Sequence, residues 1–331
     1  MLWNSSKFLF MLILIFSSMV TMSANNWLGM WMGLEMNLMS FIPFISNNNK
    51  NSSKAMMIYF ISQSIGSIIM LFSIMMNMLI LNESLMSTLI KMMIMISIMI
   101  KIGAAPFHFW LPEMMANLNW TECFILMTWQ KMAPLIILNN LMLINWFFYF
   151  SVIMSSIVGS IGGLNQTSLR KMLAFSSINH LSWMMIPISM NMNWYKYLII
   201  YTMCMMMICY FLNKKNIYYL NQLNFSSFFM EKMVYSIMML SIGGLPPFLG
   251  FLPKWMVIQY MMNSNLNLVL LIMMLSSLLT LFYYLRMISP MILTYSTMNK
   301  WSYYSSKNTF MIYFMLMINL SLPLISIISY F

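Results

Sequence analysis

The sequence predicts an all-α integral membrane protein of about eleven transmembrane helices, built as two inverted five-helix repeats that each contain one broken helix. Composition sets the class: of 331 residues, 62% are hydrophobic and 6% charged, with no aspartate. So few charges cannot cover the surface of a soluble domain, whereas lipid accepts an apolar exterior. Apolar runs long enough to cross a bilayer set the helix count, and a matched pair of Gly/Pro-interrupted runs, one in each half, supplies the repeat. The formal net charge of +11 does not arise from a basic cluster on a folded polar module, so no nucleic-acid partner is expected. Cys123, Cys204 and Cys209 stand apart in apolar runs, which suits packing rather than disulfides or metal ligation.

In chain order, the spans are expected at 7–23, 27–45, 55–80, 85–117, 120–139, 142–164, 170–190, 194–212, 228–262, 266–288 and 309–330. The first starts behind Lys7 and has no A-x-A-type cleavage site, so it reads as a span rather than a signal peptide. The fourth and ninth exceed what one straight helix needs, and each reads as two half-helices. Connections are short and rich in Asn, Ser and Lys, and none could hold a core of its own. With this count, Lys7, Lys50, Lys54, Arg170, Lys171, Lys214, Lys215, Lys232, Arg286, Lys300 and Lys307 collect on the side of the amino terminus, and Lys196 alone on the other. That bias assigns the amino terminus to the cytoplasm-equivalent side. The two broken spans lie five apart and so cross in opposite directions. Residues 1–139 and 142–288 are therefore read as inverted repeats within a single domain (1–331), with 309–330 as an extra carboxy-terminal helix.

The broken segments read IKIGAAPFHFWLPEMM from Ile100 and SIGGLPPFLGFLPKWM from Ser241. Aligned by eye, Ile102-Gly103 answers Ile242-Gly243, Pro106 answers Pro246, and Leu111-Pro112 answers Leu252-Pro253 after a slip of one residue. Gly103, Pro106, Gly243, Gly244, Pro246 and Pro247 are the candidate break residues. Proline has no N–H, so Pro106 and Pro246 are expected to free the carbonyls of Ile102 and Ile242. Inside a bilayer such a break is tolerated only where protein or water satisfies the freed backbone, and paired breaks mark an ion path.

Setting aside the charges of the loops and span ends leaves Glu35, Lys91, Lys101, Lys131 and Lys254 inside spans, with His108 and His180. A lysine at a helix centre costs about 2.5–3.5 kcal/mol on insertion scales, so each needs a reason. Lys91 lies near a span end, where snorkelling suffices. Lys101, Lys131 and Lys254 lie near mid-span, and two of them adjoin breaks. An amine withdrawn from water holds its proton less tightly, while a neighbouring carboxylate tightens the hold, and these two effects permit proton transfer. Glu35 beside a lysine would hold the proton until the pair weakens. Lys131 is followed by Pro134, a further place for a helix distortion that admits water. His180, in SSINHLSW, and His108, beside the first break, are candidate relays because imidazole titrates near neutral pH, with simple packing as the alternative for both. Glu113 and Glu122 fall near span ends and read as interfacial. The sequence has no phosphate loop, nucleophile triad or metal-ligand spacing.

At KIGAAPFHFWLPE, WQKMAPL and GGLPPFLGFLPKW, together with Glu35 in GLEMN, the chain resembles over its whole length the chain 2 family of NADH-ubiquinone oxidoreductase. This is an antiporter-like membrane-arm family of mitochondrial respiratory complex I. The resemblance implies proton translocation across the mitochondrial inner membrane, driven by NADH oxidation and ubiquinone reduction in other subunits. It implies that Glu35 pairs with Lys101, that Lys131 is the central lysine and that Lys254 is the terminal one. It also implies that this chain holds no cofactor, with FMN, iron-sulfur clusters and ubiquinone in other subunits. The implied partners are other membrane-arm subunits, including a neighbouring antiporter-like chain and small membrane subunits, along with lipids. On this reading the amino terminus faces the matrix and the carboxy terminus the intermembrane space. A count near eleven is similar to the shortened animal form of a fourteen-span bacterial design, and the Met- and Ile-rich composition suits an A+T-rich animal genome, arthropod in type. The alternatives are a stand-alone cation/proton antiporter of the same fold and a purely structural arm subunit whose buried charges are silent.

Overall fold

The computed structural model describes residues 5–46, 50–79, 84–141, 146–224, 229–264, 266–295 and 309–323. Lys300, Lys307 and the end of the expected last span lie outside them. The described residues form α-helices throughout, with no strand beyond an isolated bridge between Ser168 and Tyr219. The chain divides into two compact units, residues 1–154 and 155–331.

In the first unit, α1 (Ser5–Ser23) packs along α2 (Trp27–Ile45), which leads to α3 (Lys50–Leu79) and α4 (Ser84–Ile102). After an irregular turn come α5 (Trp110–Asn117), α6 (Trp120–Met127) and α7 (Trp129–Leu141), with α7 packed against α1, α2 and α4. The division between the units falls within α8 (Trp146–Leu164). The second unit continues with α9 (Leu169–Ser189), α10 (Trp194–Lys215), a 3-10 turn at Leu220–Asn224, α11 (Phe229–Gly243), α12 (Phe251–Asn263), α13 (Asn267–Tyr295) and α14 (Thr309–Asn319).

Helix α3 shows how the sequence produces this arrangement. Its exposed face carries Ile61, Ile65, Ile68 and Phe72, whereas Tyr59, Gln63, Gly66, Ser67 and Met70 are buried. Apolar outside and polar inside inverts the pattern of a water-soluble helix and suits a lipid surround. Among the described residues, six helices, α1, α2, α3, α8, α10 and α13, are long and apolar enough to cross a membrane. The chain is a multi-pass membrane protein. Among the other described helices, α5, α6, α7, α11 and α12 are pieces of interrupted segments, each shorter than the ~20 residues a crossing needs. Helix α9 is long enough but carries Arg170, Lys171, Asn179 and His180, and it is buried along almost its whole length.

Lipid offers no hydrophobic drive for helix association, so close packing and hydrogen bonds hold the helices within each unit. A Cβ at Gly66 would come within 2.9 Å of Lys101 Cγ and 3.2 Å of Ser97 O, which shows how tightly α3 lies on α4. One at Gly159 would come within 2.6 Å of Asn179 N, so α8 lies as tightly on α9. Arg286 of α13 donates to the carbonyls of Leu164 and Gln166, closing the end of α8.

The expected single span at 120–139 is divided. Helix α6 ends at Met127, Thr128 departs from helical geometry (φ −115°, ψ −73°), and α7 begins at Trp129. The interruption lies at Thr128, whose hydroxyl donates to Phe124 O at 2.7 Å alongside its own N–H at 3.1 Å. Pro134 sits inside α7, which continues through it.

Candidate functional site

Both Gly/Pro segments break in the same way. Helix α4 ends at Ile102 and α11 at Gly243; the next helices start at Trp110 and Phe251. Gly103 (φ 76°) and Gly244 (φ 79°) take the left-handed conformation just past each end. At each, the glycine N–H bonds back to the third carbonyl before it and the following N–H bonds five back: Gly103 to Ile100 at 3.2 Å and Ala104 to Met99 at 3.1 Å, Gly244 to Ser241 at 3.0 Å and Leu245 to Leu240 at 3.3 Å. This is the double-bonded cap that glycine permits at a helix carboxy terminus. Turns then follow at Phe107 N to Ala104 O and Phe248 N to Leu245 O.

Every one of these positions is related by the same offset, 141 residues, as from Gly103 to Gly244 or from Trp110 to Phe251. The alignment by eye is corrected accordingly. Gly103 matches Gly244 rather than Gly243, Pro106 matches Pro247 rather than Pro246, and no slip is needed before Leu252-Pro253. The reason is conformational, since only one glycine of the Gly243-Gly244 pair takes the left-handed position. The carbonyl four residues before Pro247 is therefore that of Gly243, not Ile242. Lys254 Nζ donates to Gly243 O at 2.7 Å. A helix carboxy terminus carries partial negative charge, so an ammonium placed there is favoured. The Lys254 ammonium also lies over the Trp183 ring, 5.9 Å from its centroid.

At the first break the exposed carbonyls find other donors. Trp110 Nε1 donates to Ile100 O at 3.0 Å, and Gln63 Nε2 donates to Lys101 O at 3.1 Å. The Lys101 side chain, 6% exposed, extends into a chamber that also receives Lys131, 2% exposed. Asn37, Tyr59, Gln63, Gln130 and Pro134 also line it; its volume is about 20 Å³. Glu35 on α2 is half-buried, and its Oε1 atom is buried without a hydrogen-bond partner. Glu35 and Lys101 form no direct hydrogen bond or ion pair, whereas Lys7 pairs with Glu122 and Lys215 with Glu231.

The histidines occupy different settings. His108 lies in the first break, with Nδ1 3.3 Å from Pro106 O and its ring against Phe109. His180, buried in α9, has Nδ1 2.8 Å from Tyr197 Oη, and its ring packs on Tyr201. A second small cavity, about 10 Å³, brings His180 and these tyrosines beside Cys204 and beside Ser241, Ile242, Gly250 and Pro253 of the second break. Lys91 is exposed. Glu122, at the start of α6, is buried within the protein (2% exposed) and closes a capping box, accepting from Asn119 N at 3.0 Å and from Lys7 Nζ at 3.4 Å. Lys232, grouped with the basic residues on the amino-terminal side, lies within α11 and is 6% exposed.

Sequence reasoning singled out charged groups and missed the neutral ones: Asn37, Tyr59, Gln63 and Gln130 around the lysines, and Tyr197, Tyr201 and Trp183 in the second unit. A signal existed for Tyr59, Gln63 and Gly66, which recur at helical spacing on one face of an otherwise apolar helix. Among the described residues no group of three or more His, Cys, Asp or Glu side chains converges as metal ligands would.

The chain matches, over residues 24–280, the family described as NADH:quinone oxidoreductase/Mrp antiporter, TM. It is similar to "Respiratory complex I from Thermus thermophilus with bound Aureothin" (20% identity, TM-score 0.80, 87% of this chain and 71% of that one). It is also similar to "Structure of the membrane-bound sulfane sulfur reductase (MBS), an archaeal respiratory membrane complex" (14% identity, TM-score 0.81, 97% and 73%). These two likenesses concern the fold. Sequence relatives come nearer: the NADH-ubiquinone oxidoreductase chain 2 proteins of Anopheles gambiae (44% identity, 89% of each chain) and Locusta migratoria (40% identity, 98% of this chain and 94% of that one). Identity at this level over nearly the full length, together with the matched family, shows that the chain belongs to the NADH-ubiquinone oxidoreductase chain 2 family.

Proposed function

We propose that this chain is a proton-translocating, antiporter-like subunit of the membrane arm of mitochondrial complex I, coupled to NADH oxidation and ubiquinone reduction carried out in other subunits. The observation that carries the reading is the placement of Lys101, Lys131 and Lys254. All three are buried, two share one chamber, and the third caps a helix broken in the middle of an apolar segment. Buried lysines with polar surroundings and broken helices are the materials of an ion path. Glu35 holds the proton on Lys101 through its nearby charge, Lys101 and Lys131 exchange protons across their chamber, and Lys254 passes the proton onward from the second break. His180, held by Tyr197, is the relay in the second unit, and His108 the one beside the first break.

Eleven spans in two inverted five-helix repeats, an amino terminus in the matrix and a carboxy terminus in the intermembrane space belong to the same reading. So do the inner mitochondrial membrane as location, neighbouring membrane-arm subunits and lipids as partners, and FMN, iron-sulfur clusters and ubiquinone in other chains. The reading is supported by the chain's family and by the basic residues that the span count gathers on one side.

The test is Lys131→Ala and Lys254→Ala in the assembled complex. Protons moved per NADH oxidised should fall while the complex still assembles. Unchanged stoichiometry in both variants rules the assignment out.

A further inference from the structure

Lys254 has a partner that the second break does not supply. Three helices meet at its ammonium: α12 carries the lysine, α11 ends in the Gly243 carbonyl that accepts from Nζ at 2.7 Å, and α9 brings the ring of Trp183, its centroid 5.9 Å from Nζ. A further side is closed by the backbone of Gly244, where even a Cβ would lie 2.9 Å from Nζ. Lys254 is 5% exposed, and Trp183 is fully buried. An ammonium withdrawn from water needs negative potential around it, and neither of these partners is a carboxylate. The carbonyl provides that potential on one side. The π face of an aromatic ring provides it within about 6 Å of the centroid, and tryptophan has the strongest such face.

Tryptophan is informative here for a second reason. Its indole N–H is buried without a hydrogen-bond partner in the protein. A buried donor left unpaired is costly, and a buried tryptophan usually uses its N–H. Leucine or phenylalanine would fill the space without that cost, so packing alone favours a residue other than the one present. What tryptophan gives this site is the ring face toward Lys254.

We infer that Trp183 is a positioning residue for Lys254, its indole face holding the ammonium at the Gly243 carbonyl. The inference rests on the proposed role of Lys254 as a proton carrier. A ring quadrupole attracts a cation and not a neutral amine, so the hold acts on the proton-carrying form of the lysine. Trp183 stands three residues after His180 on α9, a spacing that shares one helix face, and His180 borders a cavity with Gly250 and Pro253 next to the lysine. One stretch of α9 therefore presents both the ring and the histidine to the start of α12.

The experiment compares Trp183→Phe with Trp183→Met in the intact complex. Both side chains are apolar, smaller than tryptophan and free of the N–H, but only phenylalanine presents a ring face. Pumping per assembled complex should stay within about twofold in Trp183→Phe and fall roughly three- to tenfold in Trp183→Met. A space-filling role would lower the amount of assembled complex and treat the two variants alike, so equal pumping in both overturns the inference. A high-resolution map of Trp183→Met should show Lys254 Nζ moved away from Gly243 O, and an unmoved ammonium overturns it as well. A map of the unaltered complex needs no variant: the ammonium should lie over the indole face, and a lysine turned away from the ring sinks the idea. Lys254→Ala separates the two levels. Lost pumping in Lys254→Ala with equal pumping in the two Trp183 variants overturns the positioning role and leaves the proposed function standing. Unaltered pumping in Lys254→Ala overturns the proposed role of Lys254 and that of Trp183 together.

Discussion

Gly243 and Gly244 are adjacent and chemically identical, yet replacing each with alanine should give opposite results. A Cβ on Gly244 would lie 2.8 Å from Lys254 Cδ and 2.9 Å from Lys254 Nζ, on a residue with φ of 79°. The left-handed conformation alone costs a non-glycine residue about 1–2 kcal/mol. Relief of the clash requires the lysine to move, because the rest of the turn is held by the paired backbone bonds of the cap. Moving it breaks the 2.7 Å bond from the ammonium to Gly243 O, and a hydrogen bond to a charged group is worth about 1.5–3 kcal/mol. Gly244→Ala should therefore misplace the proposed terminal proton carrier, cutting coupled NADH:ubiquinone turnover and proton pumping by at least tenfold, the equivalent of ~1.4 kcal/mol. A Cβ on Gly243 meets only Tyr284 Cδ2 at 3.5 Å and Leu281 beyond it, which is ordinary contact. Gly243→Ala should leave turnover within about twofold. The assay is coupled turnover and pumping in membrane vesicles, normalised to assembled complex on native gels. Equal damage from both substitutions, or normal pumping in Gly244→Ala, would refute the assignment of Gly244 as the cap that shapes the Lys254 site.

Two further outcomes test how buried and exposed charges differ in this chain. Glu122→Ala removes the capping box of α6 and the partner of Lys7, so the assembled complex should lose stability to heat by about 0.5–2 kcal/mol, read as faster thermal inactivation, and Lys7→Ala should add little on top of it. Lys91→Ala, at an exposed position, should change neither pumping nor assembly, which a turnover assay on native membranes would show. A pumping defect in Lys91→Ala would mean that the snorkelling reading is wrong.

The sequence by itself determined the class of the protein, because so apolar a chain cannot be solvated by water. It also determined where the chemistry must be sought. A lysine in an apolar run is expensive enough that Lys101, Lys131 and Lys254 stand out without any neighbour being known, and glycine followed within three residues by proline marks a helix end by local sterics alone. Tertiary structure decided what depends on partners distant in the chain. Glu122 reads as interfacial from its place near a span end, and folding puts Lys7 beside it, 115 residues away. Asn37, Tyr59 and Gln130 are unremarkable one at a time and become a set only where α2, α3 and α7 meet. The choice between Gly243 and Gly244 was likewise closed to sequence: either glycine can take a positive φ, and only the packing of Lys254 against one and of Tyr284 and Leu281 against the other separates them. Composition and local sterics act within a few residues and can be read directly, whereas burial and hydrogen-bond completion are properties of surfaces brought together, which exist only once the helices have packed.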